Sequence, residues 1–146
     1  MYTVGDLLKY LNQTKLYFIN SEESIIDAVI YMKEKQIGAV SVRSGEDLAG
    51  ILTERDVLWK CDLHEDLSRV KVGAIMTPVS DMITVNPNLD LEECFNLMNV
   101  HRIRHLPVVV DGKQVGMLSI RDLVRAIVDQ QILVSSQLES YITGRT

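Results

Sequence analysis

The chain states one pattern twice, in a single frame 66 residues apart. Gly50-Ile51-Leu52-Thr53-Glu54-Arg55-Asp56-Val57 returns as Gly116-Met117-Leu118-Ser119-Ile120-Arg121-Asp122-Leu123, and the frame holds without a gap from Asn20 to Leu58 against Asn86 to Val124. Met32/Met98, Ile37/Ile103, Val42/Val108, Arg55/Arg121 and Asp56/Asp122 are among the pairs kept. A repeat of this length is one supersecondary unit with an apolar face it cannot bury alone. Two copies are therefore expected to pack as one pseudo-symmetric body, with function where they meet.

At 146 residues, 47% of them hydrophobic and 24% charged, the chain can bury a real core as one compact domain. No run is long enough to cross a bilayer, and the start, Met1-Tyr2-Thr3-Val4-Gly5-Asp6, lacks a basic segment followed by an apolar one, so a cytoplasmic protein is expected. A net charge of −5 argues against nucleic acid or an anionic membrane as partner, because neither polyanion gains by approaching an acidic surface. Cys61 and Cys94 show no C-x-x-C spacing, and Cys94 falls on the apolar stripe of a predicted helix as a buried thiol. His64, His101 and His105 form no metal-binding arrangement, so no metal is expected. No nucleophile with a neighbouring base and no carboxylate pair can be assembled, which points away from an enzyme.

Each copy reads as strand, helix, strand, strand, helix. Ser24 precedes an apolar helical pattern with Asp27 three residues on, where a capping box would place it, and Asp90 with Glu93 opens its counterpart. Short β-prone runs follow, Ala39 to Arg43 and Leu106 to Val110, then turn signals at Ser44-Gly45-Glu46-Asp47 and Asp111-Gly112-Lys113, then second runs ending at Thr53 and Ser119. A second helix starts after each. In the second copy its apolar spacing continues past Gln130 toward Ile142 with no partner in the first, as a packing or dimer element would. Val4-Gly5 matches Val72-Gly73 at an offset of 68. The boundaries read as 1–71 for the first unit with its linker, 72–130 for the second, and 131–146 for the extension.

The stretch Val72-Gly73-Ala74-Ile75-Met76-Thr77-Pro78, the helix with Met98, His101-Arg102-Ile103-Arg104-His105-Leu106-Pro107-Val108-Val109, and the two Gly-led runs ending in Thr/Ser-x-x-Asp together resemble a tandem pair of CBS (cystathionine β-synthase) domains. The resemblance covers nearly the whole chain and implies an α/β (α+β) fold of two pseudo-symmetric β-α-β-β-α units packed sheet to sheet as one module. It is similar to the stand-alone members of that family. These bind adenosine-containing nucleotides between the units and pass binding on as a change of conformation or association.

The repeated Thr/Ser-x-x-Asp also has its own chemistry. A carboxylate only accepts hydrogen bonds, and its two oxygens match a vicinal diol, so Asp56 or Asp122 can take both ribose hydroxyls at once. The hydroxyls of Thr53 and Ser119, with the N–H groups of the first helical turn, form a seat for phosphate, and Arg55 and Arg121 add positive charge. The same four residues are also plain capping boxes, and the two roles can coexist. By resemblance each cleft is composite. One joins Ile51, Thr53, Arg55 and Asp56 to Thr84, Val85, Ile103, Arg104, His105 and Leu106. The other joins Met117, Ser119, Arg121 and Asp122 to Ile19, Asn20, Ile37, Gly38, Ala39 and Val40. Gly38-Ala39 stands where the second copy has Arg104-His105, so the Asp56 cleft is expected to be the more cationic and the Asp122 cleft the roomier.

The expected function is a regulatory sensor of adenosine nucleotides (AMP, ADP, ATP or NAD), without a catalytic cofactor, acting on an effector protein the sequence does not name. The alternative is a nucleotide-independent module for dimerisation or protein interaction. By resemblance the pair is expected to form a homodimer.

Overall fold

The computed structural model describes residues 3–12 and 15–130. The fold is mixed α/β and carries the repeat in its backbone. The described chain runs α1 (Val4–Tyr10), β1 (Phe18–Asn20), α2 (Ile25–Lys35), β2 (Ala39–Ser44), β3 (Asp47–Thr53), α3 (Glu54–Lys60), α4 (Val72–Ile75), β4 (Thr77–Pro78), α5 (Leu91–His101), β5 (His105–Val110) and β6 (Lys113–Ser119). Residues 120–130 are helical and are termed α6. The extension assigned to 131–146 lies outside the described residues.

Contacts divide the chain into two compact units, one of residues 15–83 and one of residues 1–14 with 84–146. These do not follow the sequence boundaries at 71 and 72, because each leading helix is held by the copy it does not precede. Val72 and Gly73 donate their N–H groups to Glu23 O at 2.8 Å and Ser21 O at 2.9 Å. Val4 and Gly5 donate to Leu89 O and Pro87 O, both at 2.8 Å. The acceptors are repeat mates, so the same docking is used twice, and α1 belongs with the second copy and α4 with the first.

In unit 15–83 the sheet order is β1-β2-β3-β4, with β1 parallel to β2 and the other pairs antiparallel. In the other unit β5 and β6 form an antiparallel hairpin, and Val85 bridges Val108 in parallel where Ile19 pairs with Val42 in the first copy. Ala39 faces Thr53 as His105 faces Ser119, and both hairpins slip register at the same place, Val42/Arg43 and Val108/Val109. Both turns have two-residue loops. Asp111 and Gly112 take φ of 50° and 76°, the pair of positive values a type I′ turn needs, while Gly45 takes 64°.

Alternation places Ile19, Val40, Val42 and Leu52 in one hydrophobic cluster with Ile25, Ala28 and Met32 of α2 and Val72 and Ile75 of α4. In the other unit Leu91, Cys94 and Met98 form the buried stripe of α5, and Leu106, Val108 and Leu118 are buried in the hairpin. Fully burying an aliphatic side chain of this size contributes about 1.5–3 kcal/mol, and that burial fixes which face of each strand turns inward.

The helix starts partly follow the reading. Ser24 Oγ accepts from Asp27 N–H at 3.1 Å, but the reciprocal half of a capping box is not formed. Asp90 caps Glu92 N–H at 2.8 Å and not Glu93, since its short carboxylate reaches the second helical residue first. Both α2 and α5 end on a non-glycine residue in the left-handed region, Gln36 at φ 56° and Arg102 at φ 54°. Their N–H groups return to carbonyls of the last turn, which closes the helix and aims the chain into the following strand.

Candidate functional site

The two Thr/Ser-x-x-Asp helix starts are the positions where polar chemistry concentrates. In unit 15–83, Thr53 Oγ1 accepts from Asp56 N–H at 3.1 Å, and Asp56 Oδ2 accepts from Thr53 N–H at 3.1 Å. In the other unit, Ser119 Oγ accepts from Asp122 N–H at 3.1 Å, and Asp122 Oδ2 accepts from Ser119 N–H at 3.0 Å. Both are reciprocal capping boxes. The first N–H of each helix is also used: Glu54 donates to Gly38 O at 3.0 Å and Ile120 to Arg104 O at 2.8 Å.

The groups expected to seat a phosphate are engaged by the chain itself in this structure. Both hydroxyls already accept a backbone hydrogen bond, and of the N–H groups from the cap through the third helical residue only those of Arg55 and Arg121 lie outside the box and loop bonds just described. Each first turn is thus largely satisfied by its own box and loop bonds, and the two carboxylates carry the remaining acceptor capacity.

They differ. Asp56 is buried, at 8% exposure, and its Oδ1 lies 2.9 Å from Lys60 Nζ on the next turn. Thr77 Oγ1 stands 3.3 Å from Oδ1 and 3.5 Å from Oδ2. Lys60 Nζ also reaches Ile75 O at 3.3 Å and Thr77 Oγ1 at 3.4 Å. Three groups of the chain thus converge on Asp56. Asp122 is half-buried, and among the described residues the Ser119 N–H is its one hydrogen-bond donor, leaving Oδ1 uncommitted. A carboxylate has about four acceptor positions, so Asp122 keeps most of its capacity and Asp56 little.

The remaining site residues fall in both units. In unit 15–83, Ile19 and Val40 sit in the hydrophobic cluster, and Ile51 and Ala39 are buried. The Asn20 side chain accepts from Glu22 N–H at 2.9 Å, a turn-forming role that Asn86 repeats toward Asn88 N–H at 3.0 Å. Gly38 and Ala39 adjoin Thr53 through the Glu54 bond and the β2–β3 register, while Ile37 is half-buried and Arg55 exposed.

In the other unit, the basic stretch Arg104-His105 lies at the start of α6, through the Ile120 bond and the His105–Ser119 register. It therefore accompanies Asp122 within one unit, with Arg121 exposed and Met117 half-buried nearby in sequence. Val85 and Leu106 are buried, Ile103 is half-buried and Thr84 exposed. The sequence missed Lys60 and Thr77. Lys60 was legible as the i+4 neighbour of Asp56 on a helix, whereas Thr77 reaches Asp56 only because β4 pairs with β3.

No group of three or more His, Cys, Asp or Glu side chains among the described residues could hold a metal ion. Burial pushes the Cys94 thiol up to about 11, and burial together with the Glu65 charge raises Cys61, so neither favours a reactive thiolate. No helix among the described residues is long and apolar enough to cross a membrane.

Known proteins resemble this chain in sequence and fold. The CBS domain profile matches residues 4–61 and 72–129. A CBS domain-containing protein of Arabidopsis thaliana, CBSX3, named as mitochondrial, is 38% identical over 97% of this chain and 72% of its own length. A solved structure from Burkholderia ambifaria MC40-6, of a protein with CBS domains described as a candidate signal-transduction protein, is 39% identical. It superposes with a TM-score of 0.82 over 88% of this chain and 96% of its own. A CBS-CP12 protein of bloom-forming cyanobacteria, described as hexameric, is 25% identical with a TM-score of 0.72 over 85% of this chain and 70% of its own. The repeat frame, the duplicated hairpins and these matches agree, and the chain belongs to the CBS domain family as a tandem pair.

Proposed function

We propose that the chain is a regulatory module that binds an adenosine nucleotide of the AMP, ADP, ATP or NAD kind and signals by a change of conformation or assembly. The observation that carries this reading is the Asp122 carboxylate. It is fixed at a helix start by Ser119 and, among the described residues, keeps an uncommitted oxygen. A ribose diol would donate two hydrogen bonds to it, charge-assisted and therefore stronger than neutral ones. Deoxyribose would leave the carboxylate partly unpaired, and a 2′-phosphate would be repelled, so ribonucleotides without a 2′-phosphate are the expected class. The ligand-binding residues of this reading are the twenty assigned to the two clefts, with Asp122 foremost. The output is a biased equilibrium between arrangements, limited by the difference in nucleotide affinity between them. A homodimer belongs to the same reading, and the hexameric cyanobacterial relative supports assembly as the mode of action.

Thermal unfolding with AMP, ADP, ATP and NAD tests it. At a ligand concentration of about 100 Kd, binding adds about 2.7 kcal/mol, which for a chain of this size raises Tm by roughly 5–10 °C. Failure of all four to move Tm overturns the reading. The second reading, an interaction module that keeps the motifs only as caps, is favoured by Leu58 and Trp59 on α3, which are 69% and 75% exposed. Assembly without any nucleotide effect is its signature.

A further inference from the structure

The Asp56 carboxylate is already held by two side chains that could act in place of a diol. Lys60 Nζ stands at 2.9 Å from Oδ1, and Thr77 Oγ1 lies 3.3 Å from Oδ1 and 3.5 Å from Oδ2. The Thr53 N–H takes a further position on Oδ2. Among the described residues neither side chain has a counterpart at Asp122. The repeat mate of Lys60 is Ala126, which is buried and has no donor. The mate of Thr77, in the frame of the leading segments, is Lys9, which is still inside α1; α1 is seven residues long where α4 is four. The shorter α4 lets the chain turn into β4 at Thr77, pair with Ile51 of β3, and present the Thr77 hydroxyl to Asp56.

Resting on the ribose reading above, we propose that Lys60 and Thr77 form an internal plug on Asp56, so that the two acidic positions are unequal and the first nucleotide binds at Asp122. To use Asp56, a diol must displace a charge-assisted contact and a hydroxyl contact, and Lys60 then keeps only the longer contacts to Ile75 O and Thr77 Oγ1. The plug is partly exposed, Lys60 by 46% of its side chain, so it weakens the Asp56 position without abolishing it. The expected handicap is about tenfold in affinity, the low end for hydrogen bonds to charged groups once discounted for exposure. Lys60 and Thr77 are then specificity-determining residues: they set how many nucleotides one chain holds at a given concentration.

The test is titration calorimetry of the whole chain with AMP. The wild type should show one tighter site that Asp122→Asn removes and Asp56→Asn leaves. The Lys60→Met/Thr77→Val double variant should strengthen a second site by about tenfold, and adding Asp56→Asn should take it away again. Two equal sites in the wild type, or a second site unchanged in the double variant, overturn the plug. The ¹³C chemical shift of the Asp56 carboxyl supplies a readout free of ligand. It should move in Lys60→Met, and constancy there also overturns the plug. Absence of AMP heat in every natively folded variant is a separate failure: it removes the ribose reading, and the plug's functional role falls with it.

Discussion

Gly50→Ala is the substitution whose cost can be worked most directly from the geometry. Gly50 sits mid-strand in β3, paired with Val42 on one side and Pro78 on the other. A Cβ there would stand 2.4 Å from Thr77 O and 2.9 Å from Met76 Sδ. The methionine can swing aside, but the carbonyl is backbone and can retreat only if β4 leaves the sheet. Overpacking of this kind costs about 1–3 kcal/mol. The two register pairs between β3 and β4 add roughly 1 kcal/mol each when lost at a half-exposed edge. The smaller chain entropy of alanine returns about 0.5–1 kcal/mol. The net is a loss of about 2–4.5 kcal/mol, or roughly 5–15 °C in Tm. Urea unfolding of wild type and variant measures it. A difference within about 0.5 kcal/mol would refute the claim that β4 is clamped against Gly50. The same variant should free Asp56 from Thr77, since that hydroxyl is delivered by β4.

Gln36→Gly should stabilise the chain by about 0.5–1 kcal/mol, because Gln36 ends α2 at φ 56°, where a Cβ is disfavoured; urea midpoints report it. Thr3→Ala should cost about 1 kcal/mol by removing the cap of α1. It should also let the Asp6 carboxyl rise part of the way in an NMR titration: of the two groups that hold Asp6 low, the backbone N–H of residue 3 and then the Thr3 hydroxyl, alanine keeps the first and removes the second. That depressed value means the Asp6 contribution is present above about pH 4 and lost as pH falls through the folded value, so the acid limb of the wild type should flatten in the variant. Cys94, buried and raised to about 11, should resist iodoacetamide at pH 8 in the folded protein and react only on unfolding. Labelling of native protein at Cys94 would contradict that placement.

Much of the fold was legible because the repeat is written locally. The apolar spacing of Ile25, Ala28 and Met32 marks α2, Asp111-Gly112 marks a hairpin turn, and Ser24 and Asp90 mark helix starts, each through contacts of a few residues. The docking of the leading helices was not. Val4-Gly5 and Val72-Gly73 are alike as sequence, and which copy each joins is decided by hydrogen bonds to Pro87 and Leu89 or to Ser21 and Glu23. The left-handed ends at Gln36 and Arg102 also escaped, because neither carries the glycine that usually announces one. At the site, the capping boxes were legible as one of the two roles the Thr/Ser-x-x-Asp pattern allows, and both boxes form. The engagement of Asp56 was not, since Thr77 comes from a strand pairing that no local pattern encodes and only Lys60 was within helical reach.

The central claim is that a half-buried aspartate at the start of the last described helix accepts a ribose diol. Titration of AMP and 2′-deoxy-AMP into the wild type and Asp122→Asn tests it most directly. The account predicts heat for AMP with the wild type, and a loss of affinity of at least about tenfold both for the deoxy ligand and for the variant. Equal binding of the two ligands, or an Asp122→Asn variant that binds AMP as the wild type does, would contradict it.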